Sequence, residues 1–138
     1  MLEKYETGFL VVSCSGALKS GQVSNAIAVK MAENGFAEMI SIAGIAAGLD
    51  EYVDKAKRVN DLIIIDGCDK KCACKIVERL VGTPKHEFCL AELGYLDSEG
   101  PVDMDEVDIF RKKIKLLYGQ AKSSSKYSVC GCETCTRS

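Results

Sequence analysis

Short apolar runs alternate along the chain with longer stretches whose apolar residues recur every three or four positions. "GFLVVSC" (Gly8–Cys14) is of the first kind and predicts a buried strand. "GQVSNAIAVKMAENG" is of the second, with Val23, Ala26, Ile27 and Met31 on one helical face and Gly35 placed as a C-cap. The alternation continues with a strand over Ala37–Gly44 and a helix over Leu49–Asn60. "DLIIIDG" (Asp61–Gly67) has four consecutive aliphatics, as expected of a parallel strand covered on both faces. A helix over Lys70–Gly82, a weaker strand over Lys85–Gly94 and a last helix over Met104–Gly119 complete the series. Asp103 followed by Glu106 resembles a capping pattern for that last helix.

Strand then helix, four times over, predicts βαβ units and a small α/β fold: a three-layer sandwich around a four-stranded, mainly parallel sheet, in the order 2-1-3-4. Past Gly119 the apolar period stops. "QAKSSSKYSV" reads as a flexible linker to the cysteine-rich "CGCETCTRS". The expected division is therefore a folded domain over 1–119 and a flexible tail over 120–138.

At 138 residues the chain is long enough to bury a core without cross-links. A net charge of −2 offers no broad electrostatic case for nucleic acid or an anionic membrane. The start, "MLEKYETG", has no hydrophobic signal region, and no apolar run approaches the roughly 20 residues that span a bilayer. A cytoplasmic protein is expected. In a reducing compartment its eight cysteines point to metal or redox chemistry rather than to a disulfide framework.

Sites in open α/β sheets gather beyond the carboxyl ends of the strands. Cys14 ends the first predicted strand, the Ser41–Gly44 turn ends the second, and Cys68 follows the third, so all three fall on one edge. Cys68 and Cys72 are four apart; if both are helical they share a face, and their sulfurs can meet one ion with Cys14. Zinc takes such thiolates in tetrahedral geometry, although another soft transition metal would suit them too. Cys74 points away from Cys72 on a helix, and Cys89 inside a strand reads first as a packing residue. Asp66 either orients a ligand from behind, acts as a base, or caps the next turn. The lone histidine, His86, reads as an ordinary surface or strand-edge residue, and "RKKIK" as a solvated helix face.

Ser15, Gly16 and Gly21 form a glycine-rich loop before a helix. They either bind a small anion through backbone N–H groups or simply make a tight turn. A phosphate-binding P-loop would need Lys and Ser/Thr where Gln22 and Val23 stand, and a cysteine phosphatase an Arg where Ser20 stands. Cys130, Cys132 and Cys135 of the tail have the density of a soft-metal chelator. The tail could hold its own ion, fold over the edge site, or pass metal to a protein partner.

"CSG" at Cys14–Gly16, "AG" at Ala43–Gly44, "IDGC" at Ile65–Cys68 and the further Cys72 together resemble the DGC-domain family of proposed zinc-binding proteins. The resemblance covers roughly Gly8 to Glu92. It implies a zinc site of four cysteines and leaves the biochemical activity undefined. The family tends to carry a cysteine where this chain has Ser41. Cys14, Cys68 and Cys72 remain, and the fourth position falls to Cys74, Cys89, a tail cysteine or Ser41 itself, or stays open to water or a ligand. Two rival readings stand beside a zinc protein. One is a thiol enzyme with Cys14 or Cys68 as nucleophile, Cys72 resolving and Asp66 assisting. The other is an anion-binding module in which the cysteines only pack.

Overall fold

The computed structural model describes residues 9–130, with side-chain surroundings over 9–122. Its strands are β1 (Phe9–Ser13), β2 (Glu38–Met39), β3 (Asp61–Asp66) and β4 (His86–Cys89). Its helices are α1 (Lys19–Glu33), α2 (Ile42–Ala46), α3 (Asp50–Arg58), α4 (Cys72–Leu80) and α5 (Met104–Cys130). The strands form one sheet in the order β2-β1-β3-β4, and every pairing is parallel. The expected architecture and strand order are both present.

The two faces of the sheet are covered separately, which makes three layers. Val11, Ile63 and Ile65 pack with Val23, Ile27 and Met31 of α1 and with Val107 and Ile114 of α5. Leu10, Val12 and Ile64 pack on the opposite face with Ile45 of α2, Ala56 of α3 and Ala73 and Val77 of α4. Alternate residues of the aliphatic runs thus serve different layers, because successive strand side chains point to opposite faces.

The elements differ from expectation in three places. The second strand is only two residues long, and "SIAG" forms the start of α2 instead. There Ser41 accepts a hydrogen bond from the Gly44 N–H at 2.9 Å, and this cap turns the chain into a helix. The fourth strand stops at Cys89, where Leu90 through Gly94 turn under it. The last helix does not end at Gly119 but continues to Cys130, so the boundary expected there falls inside a helix. Tyr118 and Lys122, four apart and hence on one helical face, both reach Asp61 at the start of β3. Those anchors lie either side of Gly119 and hold the helix through it. At the other end of α5, Asp103 caps the helix by accepting from the Asp105 N–H at 2.9 Å, while Glu106 lies 3.9 Å from Lys19 Nζ instead of completing a capping box.

Asp61 is 5% exposed and is the centre of a polar cluster at the amino edge of the sheet. The Tyr118 hydroxyl donates to its Oδ2 at 2.6 Å, Lys122 Nζ donates to the same oxygen at 2.9 Å, and His86 Nε2 lies 3.2 Å from Oδ1. Burial pushes the Asp61 carboxyl up. The hydrogen bonds from Tyr118 and Lys122 and the nearby His86 outweigh it and leave the group below the ordinary carboxylate range. A lowered carboxyl contributes stability above its unfolded value of about 4 and loses it as pH falls through the folded value. Tyr118→Phe should cost about 1–2 kcal/mol in urea unfolding at neutral pH, and that penalty should shrink as the pH is lowered toward about 3. An equal penalty at both pH values would show that Tyr118 does not act through the ionised carboxylate.

Candidate functional site

Two loops meet at the carboxyl edge, and glycines allow them to meet. A Cβ on Gly67 would lie 2.4 Å from the Ser20 carbonyl carbon and 2.6 Å from the Gly21 nitrogen. A Cβ on Gly21 would in turn lie 2.7 Å from the Gly16 nitrogen. The loop after β3 therefore runs backbone-to-backbone against the first turn of α1, which itself lies against the loop after β1. Ser24 Oγ ties the same region by donating within reach of the Cys14 carbonyl (2.6 Å) and the Gly21 carbonyl (2.7 Å). Cys14 N–H donates to the Ile65 carbonyl at 3.0 Å, which sets Cys14 beside Asp66.

Asp66 is a cap. Its Oδ1 accepts from Ala73 N–H at 2.8 Å and its Oδ2 from Cys74 N–H at 3.1 Å, across the first turn of α4. It is 2% exposed. Burial pushes its carboxyl up, and the two backbone donors offset part of that rise. Of the readings open at the sequence level, the helix cap is the one its hydrogen bonds show.

Cys68 and Cys72 do not share a helical face, because α4 begins at Cys72. Between them Lys71 takes a left-handed conformation at φ 53°, unusual for a residue with a side chain and costing roughly 1–2 kcal/mol. That residue, with the Lys71 N–H bonded to the Cys68 carbonyl at 3.1 Å, folds the two cysteines onto the same edge by a turn. Cys14 and Cys68 are half-buried and Cys72 is exposed. Burial pushes the Cys14 thiol up. A hydrogen bond from the Gly16 backbone pulls it down, and the charges of Asp66, Cys72 and Cys68 push it up again. Among the described residues, however, no three His, Cys, Asp or Glu side chains are gathered tightly enough to hold an ion as they stand.

The remaining candidates separate clearly. Cys74 points into the layer of α3 and α4, where its Sγ donates to Glu87 Oε1 at 3.3 Å. Burial, then that carboxylate, pushes its thiol up to about 12. Ser41 spends its oxygen on capping α2. Cys89 is buried at the end of β4, paired in register with Asp66, and its Sγ donates to the Cys68 carbonyl at 3.3 Å. Cys89, first read as packing, is the fourth candidate that touches the edge loop. Cys130 ends α5, beyond the anchors that tie this helix to the amino edge, while Cys132 and Cys135 lie outside the described residues.

Around the anion-loop candidates Ser15, Gly16 and Gly21, two neighbouring donors already bond to the chain's own oxygens. Ser20 N–H donates to Asp97 Oδ1 at 2.8 Å, so the chain's own carboxylate sits at the start of α1. Gln22 Nε2 bonds back to the Gly16 carbonyl at 2.8 Å. Asp97 gave no sequence signal for this role, since it lies 77 residues from its partner.

Gly67→Ala should cost about 1–3 kcal/mol in urea unfolding, because the added methyl meets backbone that cannot swing aside; a loss below a few tenths would show that the loops separate freely. Alkylation of the reduced chain by iodoacetamide near pH 8, followed by mass spectrometry, should label Cys72 first and Cys74 last among residues 9–122. Cys72 is exposed, whereas Cys74 is buried and its thiol is pushed up to about 12, so little of it is ionised at that pH. Early labelling of Cys74 would contradict its contact with Glu87.

The chain matches the DGC domain family over residues 10–135. The match begins in β1 and extends past the roughly Gly8–Glu92 span of the sequence resemblance. The anaerobic and virulence modulator AnvM of Pseudomonas aeruginosa is 29% identical to it over 85 residues, 62% of this chain and 65% of the relative. This chain thus spans just under two thirds of that relative's length. No solved structure matches the chain. Among the described residues, no helix is long and apolar enough to cross a membrane.

Proposed function

The chain belongs to the DGC domain family, and from that premise we propose that it is a small regulatory protein of the cytoplasm whose carboxyl-edge thiols bind zinc. The reading is supported by the placement of Cys14, Cys68 and Cys72 in the segments that leave β1 and β3 at one edge of the sheet, with burial and then the nearby Asp66, Cys72 and Cys68 raising the Cys14 thiol. Three ionised sulfurs in that space repel one another, and a divalent cation removes the repulsion. Soft thiolates suit zinc, which supplies the positive charge that keeps them ionised. Cys14, Cys68 and Cys72 would hold it, after side-chain adjustment at the half-buried and exposed positions. Cys89 is the fourth donor nearest to hand, because its sulfur already lies against the Cys68 carbonyl. If Cys89 stays in that bond, the fourth position is open to an exchangeable ligand, as a sensing or delivering site requires.

The regulatory part of the reading draws on the relative named a modulator. The metal ion is the proposed partner, and a protein contacted through the tail is a second. A thiol enzyme with Cys14 as resting nucleophile is less well supported, since its thiol is pushed up where such a nucleophile needs it lowered. An anion module at Ser15–Gly21 is disfavoured by the Asp97 carboxylate already seated there.

Chelator competition on the reduced full-length chain should yield about one tightly bound zinc per molecule. Cys68→Ser and Cys72→Ser should each weaken it at least about tenfold, whereas Cys74→Ser should not. Serine at Cys130, Cys132 and Cys135 together should leave one equivalent bound. Loss of the metal in that variant would move the site to the tail, and a chain that binds no zinc at all would end the proposal.

A further inference from the structure

A second site lies at the far end of the sheet from the cysteines. Between α3 and α4, at the amino edge, a cavity of about 220 Å3 opens to solvent. Its floor is buried and apolar: Ala56 of α3, Ile64 of β3 and Val77 of α4. Val59, Leu62 and Val81 form its walls, each partly exposed. The rim differs in kind. Lys57 and Lys85 stand there exposed, beside the Thr83 hydroxyl, and no carboxylate lines the cavity. Among the described residues neither lysine is engaged in an ion pair.

We propose that this cavity binds a small amphipathic monocarboxylate, with its hydrocarbon part between α3 and α4 and its carboxylate between Lys57 and Lys85. Size sets the hydrocarbon part. An apolar cavity of about 150 Å3 accepts benzene, so about 220 Å3 accommodates one ring or a chain of about six carbons together with its headgroup. Charge sets the headgroup. The carboxyl ends of α3 and α4 both reach this opening, through Val59 and Val81, and each presents the equivalent of about half a negative charge. Two lysines therefore leave an excess of about one positive charge, which suits one carboxylate and not a polyphosphate. An uncharged ligand would gain the apolar contact but would leave that excess unmet. The site shares no residue with the carboxyl edge and does not depend on metal being bound there.

Titration calorimetry of the reduced full-length chain with hexanoate and with hexanol, at fixed ionic strength, tests this directly. Hexanoate should saturate at one equivalent, and hexanol should bind at least about tenfold more weakly. Lys57→Glu combined with Lys85→Glu changes only exposed side chains. It should lower hexanoate affinity at least about tenfold while leaving hexanol unaffected. Methyl resonances of Leu62, Ile64, Val77 and Val81 should move with hexanoate, and Cys68→Ser should change nothing. Failure of hexanoate to saturate, equal affinity for the two ligands, or undiminished binding in the lysine variant would each overturn the proposal.

Discussion

The backbone contact between Gly67 and the Ser20–Gly21 peptide governs the architecture of the carboxyl edge. β1 and β3 are adjacent and parallel, so the loops leaving them emerge side by side. The loop after β3 comes into van der Waals contact with the first turn of α1 because Gly67 carries no side chain at the crossing. Gly21 repeats the arrangement against Gly16, one layer further out. Cys14 and Cys68 follow from this contact, since each lies within two residues of one of these glycines. The glycine of "IDGC" is thus needed for packing between two segments some 46 residues apart, whatever the neighbouring cysteine does.

The same edge sorts its cysteines by what their backbones must satisfy. Asp66 gives both carboxylate oxygens to the first N–H groups of α4, so the helix begins where the strand has just ended. Lys71 accepts a left-handed conformation to make the turn between them. Cys72 is then left at the exposed start of the helix and Cys74 is carried inward to Glu87, although the two are only two residues apart. The chemical difference between these thiols is a consequence of helix phase, with burial setting its size.

The opposite edge is organised around Asp61, whose carboxylate collects Tyr118, Lys122 and His86 from two other elements. This cluster ties the Tyr118–Lys122 turn of α5 to the amino edge, the edge opposite Cys68.

By itself the sequence determined the alternation of strands and helices, the parallel sheet with its order, and the placement of Cys14 and Cys68 just past the carboxyl ends of two adjacent strands. Those features follow from local periodicity and from the rule that parallel strands end together, and both can be read from neighbouring residues. Only the tertiary structure decided that Asp66 caps α4, that Ser41 caps α2, that Cys89 rather than Cys74 stands by Cys68, and that α5 outlasts Gly119. His86 looked ordinary and Asp97 gave no signal, because the partners of each lie 25 and 77 residues away. A hydrogen bond or a backbone crossing between distant segments leaves no periodic trace along the chain. It exists only once the layers have packed.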